Sequence, residues 1–299
     1  MADPDRRRRL ALNRARKSDQ IARFLLWFSS LGVTLVIAAI LLFVGREGLL
    51  TFLDVNPFQF FFSSEWDPPN NRFGALAFFV GSVGATTLAL LLGAPLGLAG
   101  AIFMAKISPG WMRDIMRQAS NLFVGIPSVV YGYIGMTTLV PWVRENLGGQ
   151  GYGVLVAGVI LAIMVLPTIL GVAEDAVRDV PVALEEGSLG LGATRWQTIW
   201  RVILPAARPR ILAGVILAFA RAFGETTAVQ MVIGNSPRLL QGLTQGTVTL
   251  TSGIIMEMGQ TPPNSTWNRA LFMMAFGLLF NSLLMILLVR RVSNRGVAR

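Results

Sequence analysis

No charged side chain interrupts the sequence from Phe73 to Ala105, and a chain with such a stretch has few ways to fold. A bilayer-spanning helix needs about 20 mostly apolar residues. Four further stretches meet that need: Leu25 to Val44, Gln118 to Val143, Gly153 to Ala173 and Ala270 to Val289. A sixth, Ile211 to about Gly234, is interrupted only by Arg221 and Glu225. Charged residues make up 14% of the chain, well below the roughly 25% of soluble domains. The expected fold class is an all-α membrane protein with six transmembrane helices.

An even number of spans leaves both termini on one side. Most of the 26 Lys and Arg lie before Arg23, around Lys106, Arg113 and Arg117, between Arg178 and Arg210, and from Arg290 onward. The opposite loops hold only Arg46, Arg72, Arg144, Arg238 and Arg269. Short basic loops stay in the cytoplasm, so both termini are expected there. Leu239 to Met256 is also uncharged, but Gln241, Thr244, Gln245, Thr247, Thr249, Thr251 and Ser252 make it too polar to face lipid. It is expected outside, as an interfacial or re-entrant segment. The resulting plan is a basic arm 1–20, a first span 21–44, an external segment 45–72 and a core 73–292. The core's spans run at about 73–105, 118–143, 152–173, 211–235 and 269–290, with a cytoplasmic loop 174–210, an external segment 236–268 and a tail 293–299.

Cysteine and histidine are both absent, which excludes disulfides, thiolate nucleophiles, Cys/His metal centres and imidazole proton relays. The chain has no GxxxxGK[ST] loop, so any ATP has to be bound by a partner. The net charge of +10 would suggest nucleic acid in a soluble protein. Here the arm Arg6 to Lys17 reads first as a positive-inside anchor, because the other loops on its side share the bias; lipid head groups or nucleic acid are the sharper alternative.

The stretch Phe73 to Ala105 is too long for one upright span at about 1.5 Å per residue. It is expected to tilt, leave the membrane or kink at Pro95. Gly81, Gly84, Gly93, Gly97 and Gly100 suit close helix packing in lipid. Pro127 and Pro167 fall mid-span, either lining a cavity or bending buried helices. Residues 45–72 carry Phe58, Phe60, Phe61, Phe62 and Trp66, expected to lie flat at the interface or to dock an external partner.

Loop 174–210 contains EEGSLGLGATRWQTIWRVILP. Leu184 to Leu191 can form a short helix and Gly192 a sharp turn. Trp196 to Ile203 can form a second helix with an apolar stripe of Ile199, Val202 and Ile203, ended by Pro205. Such a projection suits a groove in another protein. Glu186, Gly187, Ser188, Gly192, Val202, Leu204 and Pro205 fall on the spacing of the EAA loop of ABC-importer permeases, which this loop resembles; Gly187 and Ser188 replace two alanines. REG at 46–48, WDP at 66–68, FGALAFFVGS at 73–82, GIPSVVYG at 125–132 and RAFGETTAVQMVIGN at 221–235 look like the phosphate-specific ABC importer, and of its two permease subunits the C-type is the more similar.

That resemblance implies a type I importer permease in the bacterial inner membrane, non-catalytic and without a cofactor of its own. It implies a heterodimer with an A-type permease, an ATPase dimer holding ATP and Mg, and an external phosphate-binding protein. The EAA loop would insert into the ATPase and couple it to alternating access.

A charge at mid-bilayer costs at least about 2.5 kcal/mol, so Arg221 and Glu225 need a reason to be there. Four residues apart, they would share one helix face and neutralise each other, though with Arg first the pairing is the weaker one. A guanidinium also suits oxyanions, and the resemblance puts both residues near the phosphate path, with Thr226 and Thr227 as neutral donors. The alternatives are a sulfate or molybdate permease and an ion-driven secondary transporter, which would need inverted repeats that the sequence does not display.

Overall fold

The structure is a computed structural model that describes the backbone of residues 4–297 and the side chains of 19–292 other than residue 21. The arginines of the basic arm up to residue 17, and the tail side chains from 293, lie outside the described residues.

Helix α1 (Pro4–Leu49) carries the first span on its C-terminal half. Its apolar surface is bare, with Phe24 69% and Trp27 74% exposed. Side chains of this kind along a whole helix belong against lipid tails, not water. α1 touches the rest near its end, where a Cβ on Gly48 would come 2.9 Å from the Met273 Cα. Only a glycine lets it approach α13 (Thr266–Val297).

The 45–72 segment folds onto the bundle in part, with Phe58 and Phe62 left exposed. It forms a short helix, α2 (Pro57–Phe62), and a hairpin of β1 (Trp66–Asp67) and β2 (Arg72–Phe73), with Trp66 opposite Phe73. Phe60, Trp66 and Phe73 are buried, and Trp66 stacks edge-on against Phe78 at 4.8 Å. The indole needs an acceptor when buried, and the interior supplies one in Glu257.

Helix α3 (Leu76–Ile102) runs through Pro95 without a break and ends in a π-helical turn, Phe103–Ile107. Its small residues face α7 (Val154–Arg178), where a Cβ on Gly97 would sit 2.9 Å from the Ile169 Cγ2. Packing at this distance makes α3 and α7 one body. Pro167 likewise leaves α7 continuous.

The third span is not one helix over 118–143. α4 (Gly110–Gly125) and the run Ser128–Leu147 meet at 90°. That run consists of α5 (Ser128–Ile134), a π-helical turn, Gly135–Leu139, and α6 (Val140–Leu147). Pro127 supplies no N–H and pushes Ile126 to extended backbone, ψ 126°, so the bend falls between them.

The loop helix α8 (Val182–Gly190) is followed by α9 (Arg195–Thr198), a π-helical turn, Ile199–Ile203, and α10 (Leu204–Gly224). The last three form one rod, so Pro205 does not end a loop helix. The π turn has already shifted the hydrogen-bond register there, and Pro205 occupies the first turn of α10, where its missing N–H and its ring are tolerated. The helix that carries the fifth span therefore begins inside the loop, at Arg195, and ends at Gly224 rather than 235. After α11 (Thr227–Val232) and a non-helical crossing, α12 (Leu250–Met258) leads to α13. Residues 247–253 of this polar segment are buried in the protein, whereas Leu239, Gln241, Leu243 and Gln245 before them are exposed. Its hydroxyls are satisfied internally: Thr247 Oγ1 donates to the Arg238 carbonyl at 2.9 Å and Thr251 Oγ1 to that of Glu225 at 3.0 Å, while Leu250 N–H donates to Ser82 Oγ at 2.9 Å.

Among the described residues five helical runs are long and apolar enough to cross a membrane, and the bent pair, taken as one span, makes a sixth.

Candidate functional site at the helix break and the connecting loop

Backbone that leaves helical geometry at membrane depth is tolerated only where protein or a polar cavity receives it. This chain does so twice in neighbouring places, at Ile126–Pro127 and at Gly224–Thr226. α11 packs on α5 so closely that a Cβ on Gly132 would come 3.0 Å from the Ala228 Cα. The two breaks therefore flank one region.

Arg221 and Glu225 do not share a helix face. α10 stops at Gly224 and Glu225 is extended, φ −68° and ψ 128°, since glycine followed by two β-branched threonines favours leaving the helix. Among the described residues the two form no ion pair. The exposed Arg221 reaches across to α7, its Nη1 donating to Thr168 Oγ1 at 3.3 Å. The Glu225 carboxylate turns to the N–H of Ala228 at 3.4 Å, and its carbonyl, freed by the break, accepts from Thr251 Oγ1 at 3.0 Å. Thr226 Oγ1 donates to the Gly224 carbonyl at 3.2 Å, and Thr227 opens α11.

Glu225 also lines a small cavity of about 10 Å³ with Ser82, Thr86, Thr249 and Thr251. That is about the size of one water. The break thus sorts the two charges: Glu225 is held against hydroxyls inside, and Arg221 keeps most of its forked donors open. An open guanidinium beside a threonine is chemically suited to a tetrahedral oxyanion. Thr168, Ser82 and Thr251 were not among the site residues expected from the sequence. Only the proline before Thr168 hints at a special place.

At the other end of the bundle, Gly192 turns at φ +83° with open space around its Cα. A residue with a side chain is strained at that angle. Glu186, Gly187 and Pro205 are exposed, Ser188, Val202 and Leu204 half-buried. Ser188 Oγ and Thr198 Oγ1 meet at 3.0 Å and tie α8 to α9. Leu191 stands 91% exposed at the tip. A groove of about 440 Å³, lined by Leu184, Gly187, Ser188, Leu191 and Val202, opens between the two arms.

Ion pairs fasten this loop to the bundle. The carboxylate of Glu174, 2% exposed, accepts from Arg117 of α4 and from Arg178, each at 2.8 Å. Lys106 bonds Glu185 at 2.5 Å, and Arg210 bonds Asp179.

A six-span helical protein with paired breaks at membrane depth and a basic, projecting loop is a transport permease in class. Residues 97–295 match the model of the binding-protein-dependent transport system inner membrane component, and the chain belongs to that family of ABC-importer permeases. A probable ABC transporter permease of Bacillus subtilis, YqgH, is 45% identical over 86% of this chain and 85% of its own. The phosphate transport system permease protein PstC of Mesorhizobium japonicum is 37% identical over 73% and 72%, and that of Xylella fastidiosa 33% over 86% and 84%. Among solved structures, a bacterial ABC transporter involved in the import of alginate superposes with a TM-score of 0.54, covering 95% of this chain and 99% of that one at 16% identity. The inward-facing MetNI methionine ABC transporter gives 0.52, over 73% and 94% at 20% identity. These two show the fold alone, and the family match places the chain in the inner membrane.

Proposed function

We propose that this chain is the C-type permease subunit of an ATP-driven importer of inorganic phosphate. The observation that carries the reading is the exposed guanidinium of Arg221, held at a helix break in a chain whose relatives include phosphate transport permeases over most of its length. The pore is a heterodimer with a homologous A-type permease. Two copies of an ATPase bind ATP and Mg, and an external binding protein delivers phosphate. This chain contributes no catalytic group and no cofactor site. Both termini and loop 174–210 face the cytoplasm, in keeping with their lysines and arginines.

In this reading Glu186, Gly187, Ser188, Gly192, Val202, Leu204 and Pro205 form the coupling surface. ATP binding closes the ATPase pair and carries the α8–α9 unit with it. Because α9, the π turn and α10 are one rod, movement of the loop tilts the helix that bears Arg221. The path opens outward, phosphate meets Arg221 with Thr226 and Thr227 nearby, and hydrolysis returns the path inward. Glu225, turned aside, spares the anion a facing carboxylate.

The test is uptake of labelled phosphate by cells lacking the gene and by complemented cells, with excess sulfate as competitor. Restored uptake that resists sulfate and collapses on ATP depletion is the expected result. Displacement by sulfate, or no effect of deletion, overturns the cargo.

A further inference from the structure

The loop 174–210 is joined covalently to α7 and α10 but not to α3, yet α3 forms the wall against which α7 packs. Among the described residues its one charged link to the loop is Lys106, just past its end. This residue lies in the π-helical turn that ends α3, and its ammonium bonds Glu185 of α8 at 2.5 Å. Lys106 is only 16% and Glu185 32% exposed at the side chain. A pair shielded to this degree is stronger than a surface pair, and losing one partner leaves the other charge poorly solvated. Glu185 directly precedes Glu186 of the coupling pattern and lies in the first turn of α8.

We propose that Lys106 is a positioning residue of the transport cycle: the Lys106–Glu185 bond is a strut, beside the short covalent link 179–181 between α7 and α8, through which displacement of loop 174–210 is passed to the α3–α7 body. The proposal rests on the reading of this loop as the ATPase contact. Three observations support it. The loop is internally stiff, since the Ser188–Thr198 bond ties its two arms, so a push at its tip reaches Glu185. α3 and α7 cannot slide past each other, because Gly97 lies against Ile169 and Gly158 against Leu88. The far half of α3 supports the helix break: Ser82 holds the N–H of Leu250, and α12, which Leu250 begins, uses Thr251 to hold the Glu225 carbonyl. A strut at Lys106 thus connects the loop to both sides of the region that contains Arg221, α10 by the chain itself and α3 by the ion pair. Without it, the α3–α7 body is moved only through the non-helical link 179–181 and follows the tilt of α10 less closely.

The experiment uses the complete transporter in proteoliposomes. Wild type, Lys106→Met, Lys106→Glu and the exchange of Lys106→Glu with Glu185→Lys are compared for ATPase binding, ATP hydrolysis and phosphate uptake. Lys106→Met and Lys106→Glu are expected to bind the ATPase and hydrolyse ATP, while uptake per ATP falls roughly ten-fold, the scale of a coupling contact. The exchange is expected to restore most of it. Uptake per ATP unchanged in both Lys106 variants, or an exchange no better than Lys106→Glu alone, overturns the strut. A wild-type chain that fails to bind the ATPase overturns the docking reading instead, and the proposal with it. Because the chain has no cysteine, a second measurement is direct: Lys106→Cys with Glu185→Cys, bridged by a short bifunctional thiol reagent, should keep uptake. Blocked uptake would mean the pair must part during the cycle and would refute a strut.

Discussion

Replacing Arg221 separates binding of the anion from stability of the fold, because the structure gives this side chain so little else to do. Its one hydrogen bond, to Thr168 at 3.3 Å, lies at the long end of the range and contributes under about 1 kcal/mol. Arg221→Ala should therefore leave assembly and the unfolding temperature nearly unchanged. Toward an oxyanion the same group offers forked, charge-assisted bonds worth roughly 1.5–3 kcal/mol each. Two of them come to about 3–6 kcal/mol, and at 1.4 kcal/mol per decade the loss is on the order of a hundred- to ten-thousand-fold. Arg221→Lys keeps the charge and forfeits the fork, so its loss should be about ten- to a hundred-fold. The assay is initial phosphate uptake by proteoliposomes containing the ATPase and the binding protein, read beside co-purification of the subunits. An Arg221→Ala chain that assembles and transports at the wild-type rate refutes the reasoning. So does a loss of transport fully matched by a loss of assembly.

Two further outcomes follow from other parts of the molecule. Gly192→Val places a β-branched residue at φ +83° without any clash, so backbone strain alone, about 1–2 kcal/mol, should distort the turn; reduced ATPase co-purification with an intact bundle is expected, and undiminished co-purification would count against the coupling role of the loop. Burial pushes the Glu257 carboxyl above the usual carboxylate range, with the hydrogen bonds from Trp267 and Trp66 pulling the other way. Between its unfolded and its raised folded value the folded chain binds more protons, so stability falls as pH rises through that window. Glu257→Gln should flatten this dependence in thermal unfolding as pH rises above the ordinary glutamate value of about 4.3, and an unchanged slope would assign it to another group.

Much was legible without coordinates. Charge-free stretches locate the spans because a bilayer admits little else, and a composition without cysteine or histidine removes whole classes of chemistry before any fold is known. The EAA spacing was readable because docking between two proteins requires particular residues at particular intervals. The helix break between Arg221 and Glu225 was not readable. Four residues apart in an apolar run, they have the pattern of a shared face, and the contrary preference of Gly224, Thr226 and Thr227 is worth only tenths of a kcal/mol to about 1 kcal/mol each. What decides the matter is that Thr251 and Ala228 receive the groups the break exposes, and Thr251 comes from a segment 26 residues further on. The same holds at Pro205, which reads as a stop but sits harmlessly after a π turn, and at Trp66, whose acceptor is Glu257, 191 residues away. Hydrophobic length and local spacing are properties of neighbouring residues, and the sequence by itself determined those: six spans, a basic loop of fixed pattern, one charged pair at depth. Which charge faces the path, where the spans bend and how the loop is fastened to α3 depend on hydrogen bonds and ion pairs between distant segments, and only the tertiary structure decided them.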